Sequence, residues 1–186
     1  MIFRYLKKAS VWSGILLLTL CQQQVFAQGA ASEYAVKTAI VYKITKFVSW
    51  PTSAFGPTNA PLNICVLTGS PFEEPMRSLQ GRKVQGHAIE VVSYETPNDI
   101  GAQCQVLVVS SEEAERMASI LDLVARQPTL TIGDADGFAE HGGIVGLEVQ
   151  KNRVGFAINV SASEKVGLGI SAQLLQLATI VEGGEV

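Results

Sequence analysis

The chain is 186 residues long, 47% apolar and 17% charged, with 14 Lys and Arg against 17 Asp and Glu. That length fits one domain with a sizeable core. The acidic balance, with no clustered basic run, argues against a nucleic-acid surface, because phosphate contacts need grouped Lys and Arg.

Residues 1–27 read as a secretory signal peptide. Arg4, Lys7 and Lys8 give the positive start, Val11 to Leu20 is apolar but too short to span a bilayer stably, and Val25-Phe26-Ala27 is an A-x-A-like cleavage site. Cleavage between Ala27 and Gln28 is expected. An uncleaved N-terminal anchor is the rival reading, and lipidation at Cys21 is disfavoured by the large Leu20 before it. No later segment is long and apolar enough to cross a membrane, so 28–186 is expected to be one exported, periplasmic domain. Removing the leader takes away three basic residues and no acidic ones, which moves the formal net charge from −3 to −6. Two of the three cysteines remain, Cys65 and Cys104. An oxidising compartment favours their pairing, with two separate buried thiols as the alternative.

Glu33 to Trp50 is the first structured segment. Val36, Ile40, Ile44 and Phe47 recur at helical spacing as one apolar stripe, and Lys37, Thr38, Thr45 and Lys46 break up the opposite side. Ser32 or Glu33 can cap this helix, and Pro51 stops it after Trp50. A helix this apolar must cover a sheet. After a loop from Thr52 to Pro61, Leu62 to Leu67 reads as a strand. Ser70 and Pro71 open a short helix ending near Gly81, with Glu73 and Glu74 at its positive end. Val84 and Ala88 to Val92 form the next strand, interrupted by Gly86. Pro97 to Gly101 is a turn. Val106 to Val109 is a continuous apolar run of the kind buried on both faces. Ser110 or Ser111 caps a helix whose buried stripe is Met117, Ile120, Leu121 and Val124. Thr129 to Ile132 is another strand.

Such alternation indicates an α/β domain with largely parallel strands. The C-terminal part changes character. Gly143 to Gln150 and Arg153 to Ile158 read as two strands joined at Lys151-Asn152, with Val154, Phe156 and Ile158 on one face. A short helix from Ser161 to Val166 and a longer one from Ser171 to Val181 follow, the latter with Leu174, Leu175, Ala178 and Val181 inward. The expected fold is a single-domain sandwich of helices around a mixed, largely parallel sheet with a C-terminal antiparallel hairpin.

The densest polar cluster is Asp134-Ala-Asp136-Gly137 followed by Glu140 and His141, after the strand 129–132. Ends of strands carry ligand sites in α/β sheets. A calcium loop would need another acidic ligand before its glycine and a bidentate Glu beyond it, and zinc would need more than one His or free Cys. The cluster can equally be a capped loop in which Asp supplies turn chemistry and Gly142-Gly143 the unusual backbone angles. No G-x-S-x-G occurs, and Cys–His catalysis would need a free thiol. Gly167-Leu-Gly169 is no strand-to-helix phosphate loop. Tyr42, Phe47 and Trp50 can line a pocket or pack in the core. Residue chemistry therefore favours a protein that is not an enzyme and has no catalytic, cofactor or metal residues.

Glu33-Tyr-Ala-Val-Lys-Thr-Ala, Tyr42 and Lys46-Phe-Val-Ser-Trp50-Pro51 resemble the opening of the YfiR family of periplasmic proteins. Leu62-Asn-Ile-Cys65-Val-Leu with Pro71-Phe72, Thr131-Ile-Gly-Asp134 with Gly137-Phe138-Ala and Gly142-Gly143, and Phe156-Ala-Ile158-Asn159 with Gly167-Leu-Gly-Ile170-Ser171 are similar to its later motifs. The likeness covers essentially all of the mature chain. It implies an α/β regulator, capable of dimerising, that binds the periplasmic region of a membrane-bound diguanylate cyclase and holds it inactive. Cyclic di-GMP then falls and biofilm growth is disfavoured. An outer-membrane lipoprotein that sequesters the regulator is an implied second partner, and Cys65 and Cys104 fall where the family has a disulfide. Exposed apolar residues around Phe55 or Phe138 are the expected contact surface, with Asp134, Asp136 and His141 beside them. A small-ligand binding module without a cyclase partner is the alternative function.

Overall fold

A computed structural model describes residues 33–56, 60–150 and 153–182. The leader, its Ala27–Gln28 cleavage point and the turn at Lys151-Asn152 lie outside the described residues. Residues 37–186 form one compact unit. The preceding unit is described only over 33–36, which are helical.

The first helix, α1, runs through residues 33–45. It is followed by β1 (Val48–Ser49), β2 (Leu62–Leu67), α2 (Glu73–Arg77), β3 (Lys83–Val84), β4 (His87–Tyr94) and β5 (Val106–Val109). Next come α3 (Met117–Val124), β6 (Leu130–Gly133), β7 (Val145–Gln150) and β8 (Arg153–Asn159). The chain closes with α4 (Val160–Lys165), β9 (Gly169–Ile170), α5 (Ala172–Leu175) and β10 (Thr179–Val181).

Eight strands form one sheet in the order β10-β8-β7-β6-β5-β2-β4-β3. Strands β4, β2, β5, β6 and β7 are mutually parallel. Antiparallel pairing appears at β7–β8 and at β3–β4, and β10 returns parallel to β8. This is the mixed, largely parallel sheet with a C-terminal antiparallel hairpin expected from the alternation of elements. The β3–β4 turn is a tight one: Gln85 and Gly86 both have positive φ, the requirement of a two-residue type I′ hairpin.

Alternation along the strands assigns side chains to two faces. Cys65, Leu67, Leu107 and Val109 point to one face, where they pack with Ile120 and Val124 of α3 and with Phe138. Cys65 and Cys104 are bonded, with Cα atoms 6.0 Å apart, tying β2 to the segment that enters β5. Ile64, Val66, Val106, Val108, Leu130 and Ile132 point the other way and are each 1% exposed or less. Residues 37–45 of α1, with Val41 and Ile44 buried, cover that second face. Lys37 near its start reaches Asp134 beyond β6, and Gln85 in the β3–β4 turn donates to the carbonyls of Thr45 and Val48 at its end.

Three sequence expectations change. The α1 helix ends at residue 45 rather than at Trp50, because Val48 and Ser49 pair as a strand with Ile170 and Gly169. Its buried side is Lys37, Thr38, Val41, Ile44 and Thr45, while Val36 and Phe47 are 47% and 38% exposed. The stripe is thus rotated toward residues that looked polar. Finally, the helix expected over Ser171 to Val181 stops at Leu175. The β-branched run Thr179-Ile180-Val181 instead joins the open edge of β8.

Candidate partner-binding face

The loop joining β6 to β7 is a packed structural element. Phe138 is only 1% exposed, and its ring lies between the Cα atoms of Gly133 and Gly143, where a Cβ at either position would come well inside 3.0 Å of the ring. Those glycines are required for close approach, and a contact role for Phe138 at the surface is ruled out by its burial. Asp134 is spent as well. One carboxylate oxygen accepts from the Lys37 ammonium at 2.6 Å, and the other accepts from the backbone N–H of Ser111 at 2.6 Å. The two side chains of that ion pair are 5% and 1% exposed. Nothing in the sequence pattern signalled this pair, since Lys37 sat opposite the apparent apolar stripe.

Asp136 and His141 remain exposed on the loop. The Nδ1 of His141 is 2.7 Å from the Gly137 carbonyl, so that nitrogen donates and the ring is held locally. Among the described residues no group of three or more His, Cys, Asp or Glu is placed to hold a metal ion. Phe55 is half-buried and stacks on His87 with ring centroids 4.0 Å apart. Trp50 donates its indole N–H to the Gln105 carbonyl at 3.2 Å, and Gln105 in turn donates to the Ala54 carbonyl. These aromatics close the amino-terminal loop onto the sheet.

An uncovered apolar surface lies elsewhere. Strand β7 pairs with β6 only through Val145 and Gly146, and β10 pairs with β8 only from Ala157 onward. The rest of the β7–β8 hairpin therefore projects past its neighbours as a two-stranded ribbon. Its register places Val149 opposite Val154, Leu147 opposite Phe156 and Val145 opposite Ile158, with Ile180 flanking Ile158 on β10. All seven share the α1 face of the sheet. Val145, Leu147 and Ile158 are buried, but Val149 is 49% and Ile180 50% exposed, and Val154 and Phe156 are half-buried. Leu177, in the turn leading into β10, is 75% exposed. Exposed and half-buried apolar side chains grouped on one sheet face make this a candidate interaction surface. The one-face alignment of Val154, Phe156 and Ile158 was visible in the sequence, but reading it as covered core missed this row.

The model of the YfiR/HmsC-like family matches residues 34–179, most of the chain. The chain belongs to the YfiR/HmsC-like family. No curated protein matches it. Among solved structures, it is similar to a conserved domain protein from Vibrio cholerae O1 biovar eltor at 14% identity and a TM-score of 0.56. That match covers 77% of this chain and 59% of the other. A second match, the ABC domain in complex with L-Trp from Streptococcus pneumonia, has 11% identity and a TM-score of 0.47, covering 69% of this chain and 57% of the other. The chain thus spans less than two thirds of both structures. The first shows a shared fold and nothing more, and the second carries no argument. In this YfiR/HmsC-like chain, the β6–β7 glycine loop is a scaffold and the uncovered ribbon is the candidate contact face.

Proposed function

We propose that this YfiR/HmsC-like protein is a periplasmic regulator that binds the periplasmic sensor region of a membrane-bound diguanylate cyclase and holds it inactive, lowering cyclic di-GMP. Membership of the family over residues 34–179 carries the reading. The family is regulatory rather than catalytic, and its members act with partner proteins in signalling. Among the described residues no helix is long and apolar enough to cross a membrane. Export through the leader, with cleavage before Gln28, would bring the chain to the sensor.

The mechanism is a population shift. A regulator that prefers the inactive sensor conformation lowers output by its differential affinity alone. The exposed row Val149, Val154, Phe156 and Ile180 supplies apolar area that association would bury. An outer-membrane lipoprotein competing for the regulator, and a homodimer, are further partners proposed on the family likeness.

Cellular cyclic di-GMP is the direct readout, measured with the gene present, deleted, and restored as an exported chain. Deletion is expected to raise it and the exported chain to reverse the rise. Val149→Glu is expected to accumulate as a folded protein, since exposed substitutions stay within about 0.5 kcal/mol, yet fail to reverse it. No rise on deletion would remove the cyclase as partner, and full reversal by Val149→Glu would remove the ribbon as the contact.

A further inference from the structure

On the sheet face opposite the apolar ribbon, a cavity of about 290 Å³ opens between α3, α4 and the end of the β6–β7 loop. Its floor is mixed, with the apolar Leu121, Val124, Ile144 and Val166 beside Thr129, Thr131 and Asn159. Its walls carry charge. Helix α3 contributes Asp122 and helix α4 contributes Lys165, both at the cavity and both exposed. Neither makes an ion pair among the described residues, with each other or with a third group. Opposite charges on neighbouring helices commonly close into a bridge. Here both line one cavity without pairing. The deep polar groups are already satisfied: Thr131 accepts from the Ile144 N–H, and Asn159 bonds the Ala139 carbonyl and the Ala162 N–H.

We infer that this cavity binds a compact zwitterion with a cationic group at one end, a carboxylate at the other and an apolar segment between. The ammonium of such a ligand meets Asp122, its carboxylate meets Lys165, and its methylene chain lies on the Leu121–Ile144–Val166 floor. A molecule with one charge would leave one wall unpaired, and a fully polar one would leave the apolar part of the floor wet, so the arrangement selects for both ends and the middle together. The volume lies just below the range for small-molecule sites, roughly 300–1,000 Å³, which suits a compact ligand. His141, anchored through Nδ1 to the Gly137 carbonyl, borders the cavity and turns the exposed end of the glycine loop into part of its rim.

The test is thermal unfolding of the purified protein with γ-aminobutyrate, δ-aminovalerate and ε-aminocaproate, using caproate and hexylamine as single-charge controls. At saturating millimolar ligand, the best-fitting chain length is expected to raise Tm by about 2–4 °C, with a smaller rise from either control. Asp122→Asn and Lys165→Gln, both surface changes, should each cut the rise to that of the single-charge controls or below. The swapped pair Asp122→Lys with Lys165→Asp should restore it, because a zwitterion can bind end for end. No rise with any of the three, a rise undiminished in both single variants, or failure of the swapped pair overturns the inference. Each of those results leaves the cyclase reading untouched, since that rests on the other face.

Discussion

The Lys37–Asp134 ion pair sits at the carboxyl end of β6. Two charges taken out of water are costly, and their 2.6 Å contact plus the Ser111 N–H offsets that cost. Such a pair adds little over an apolar substitute, but removing the Lys37 ammonium leaves the Asp134 carboxylate buried without it. Lys37→Met or Asp134→Asn alone should therefore lower stability, the first by about 3–5 kcal/mol, and the double change Lys37→Met with Asp134→Asn, which keeps an acceptor for the Ser111 N–H, by less than the sum of the two. Urea unfolding of the single and double variants measures the difference. A loss in the double variant equal to the sum of the two single losses would show that the pair is not coupled. Phe138 makes the complementary point: a large apolar residue in a polar loop is its anchor, and the neighbouring glycines exist to admit the ring.

At the scale of elements, the short α2 is held through Glu73. Its carboxylate accepts from the backbone N–H of Gly69 at 2.9 Å and from the Ser93 hydroxyl at 2.9 Å, and it pairs with Arg77. The Gly69 N–H, then the Ser93 hydroxyl, hold its pKa below the ordinary carboxylate value, with Arg77 adding to them. A depressed folded pKa means that this stabilisation is present above the unfolded pKa and is lost as pH falls through the folded one. Glu73→Gln should lower the urea midpoint at neutral pH, and the gap from the parent should close as the solution is acidified below the carboxylate range. A gap that is constant with pH would mean the charge is not what Glu73 contributes. The disulfide acts at the same scale. By the chain-entropy account, closing the 39-residue separation between Cys65 and Cys104 contributes about 4 kcal/mol.

For the whole molecule, the sheet separates two surfaces. The apolar ribbon of β7, β8 and β10 lies on the α1 face, and the charged-walled cavity lies on the α3 face. Sites far apart with no shared partners behave additively. Val149→Glu should therefore abolish repression while keeping the Tm rise with the zwitterion, and Lys165→Gln should cut that rise to the single-charge level while still repressing in cells given no ligand. Loss of both properties in either variant would show that the two faces are coupled.

The sequence by itself determined the strands and their class. Short apolar runs rich in β-branched residues, such as Val106–Val109, read as strands buried on both sides, and their alternation with helical segments indicates a parallel sheet. Family membership was legible for the same reason, since the motifs are mostly the glycines, aromatics and strand residues that build this core. Only the tertiary structure decided which side of α1 is buried: Lys37 can be inward because Asp134 meets it, Thr45 because its hydroxyl bonds the Tyr42 carbonyl, and Thr38 is buried with its hydroxyl unpartnered among the described residues, whereas periodicity cannot anticipate a partner as distant in sequence as Asp134. It also decided the fate of Phe138, whose burial depends on glycines arriving from two other segments, and of Thr179–Val181, which became a strand because β8 offered an open edge. The candidate contact face stayed hidden for a related reason. An alternating apolar strand reads as core until the neighbouring strands are seen to stop short of it.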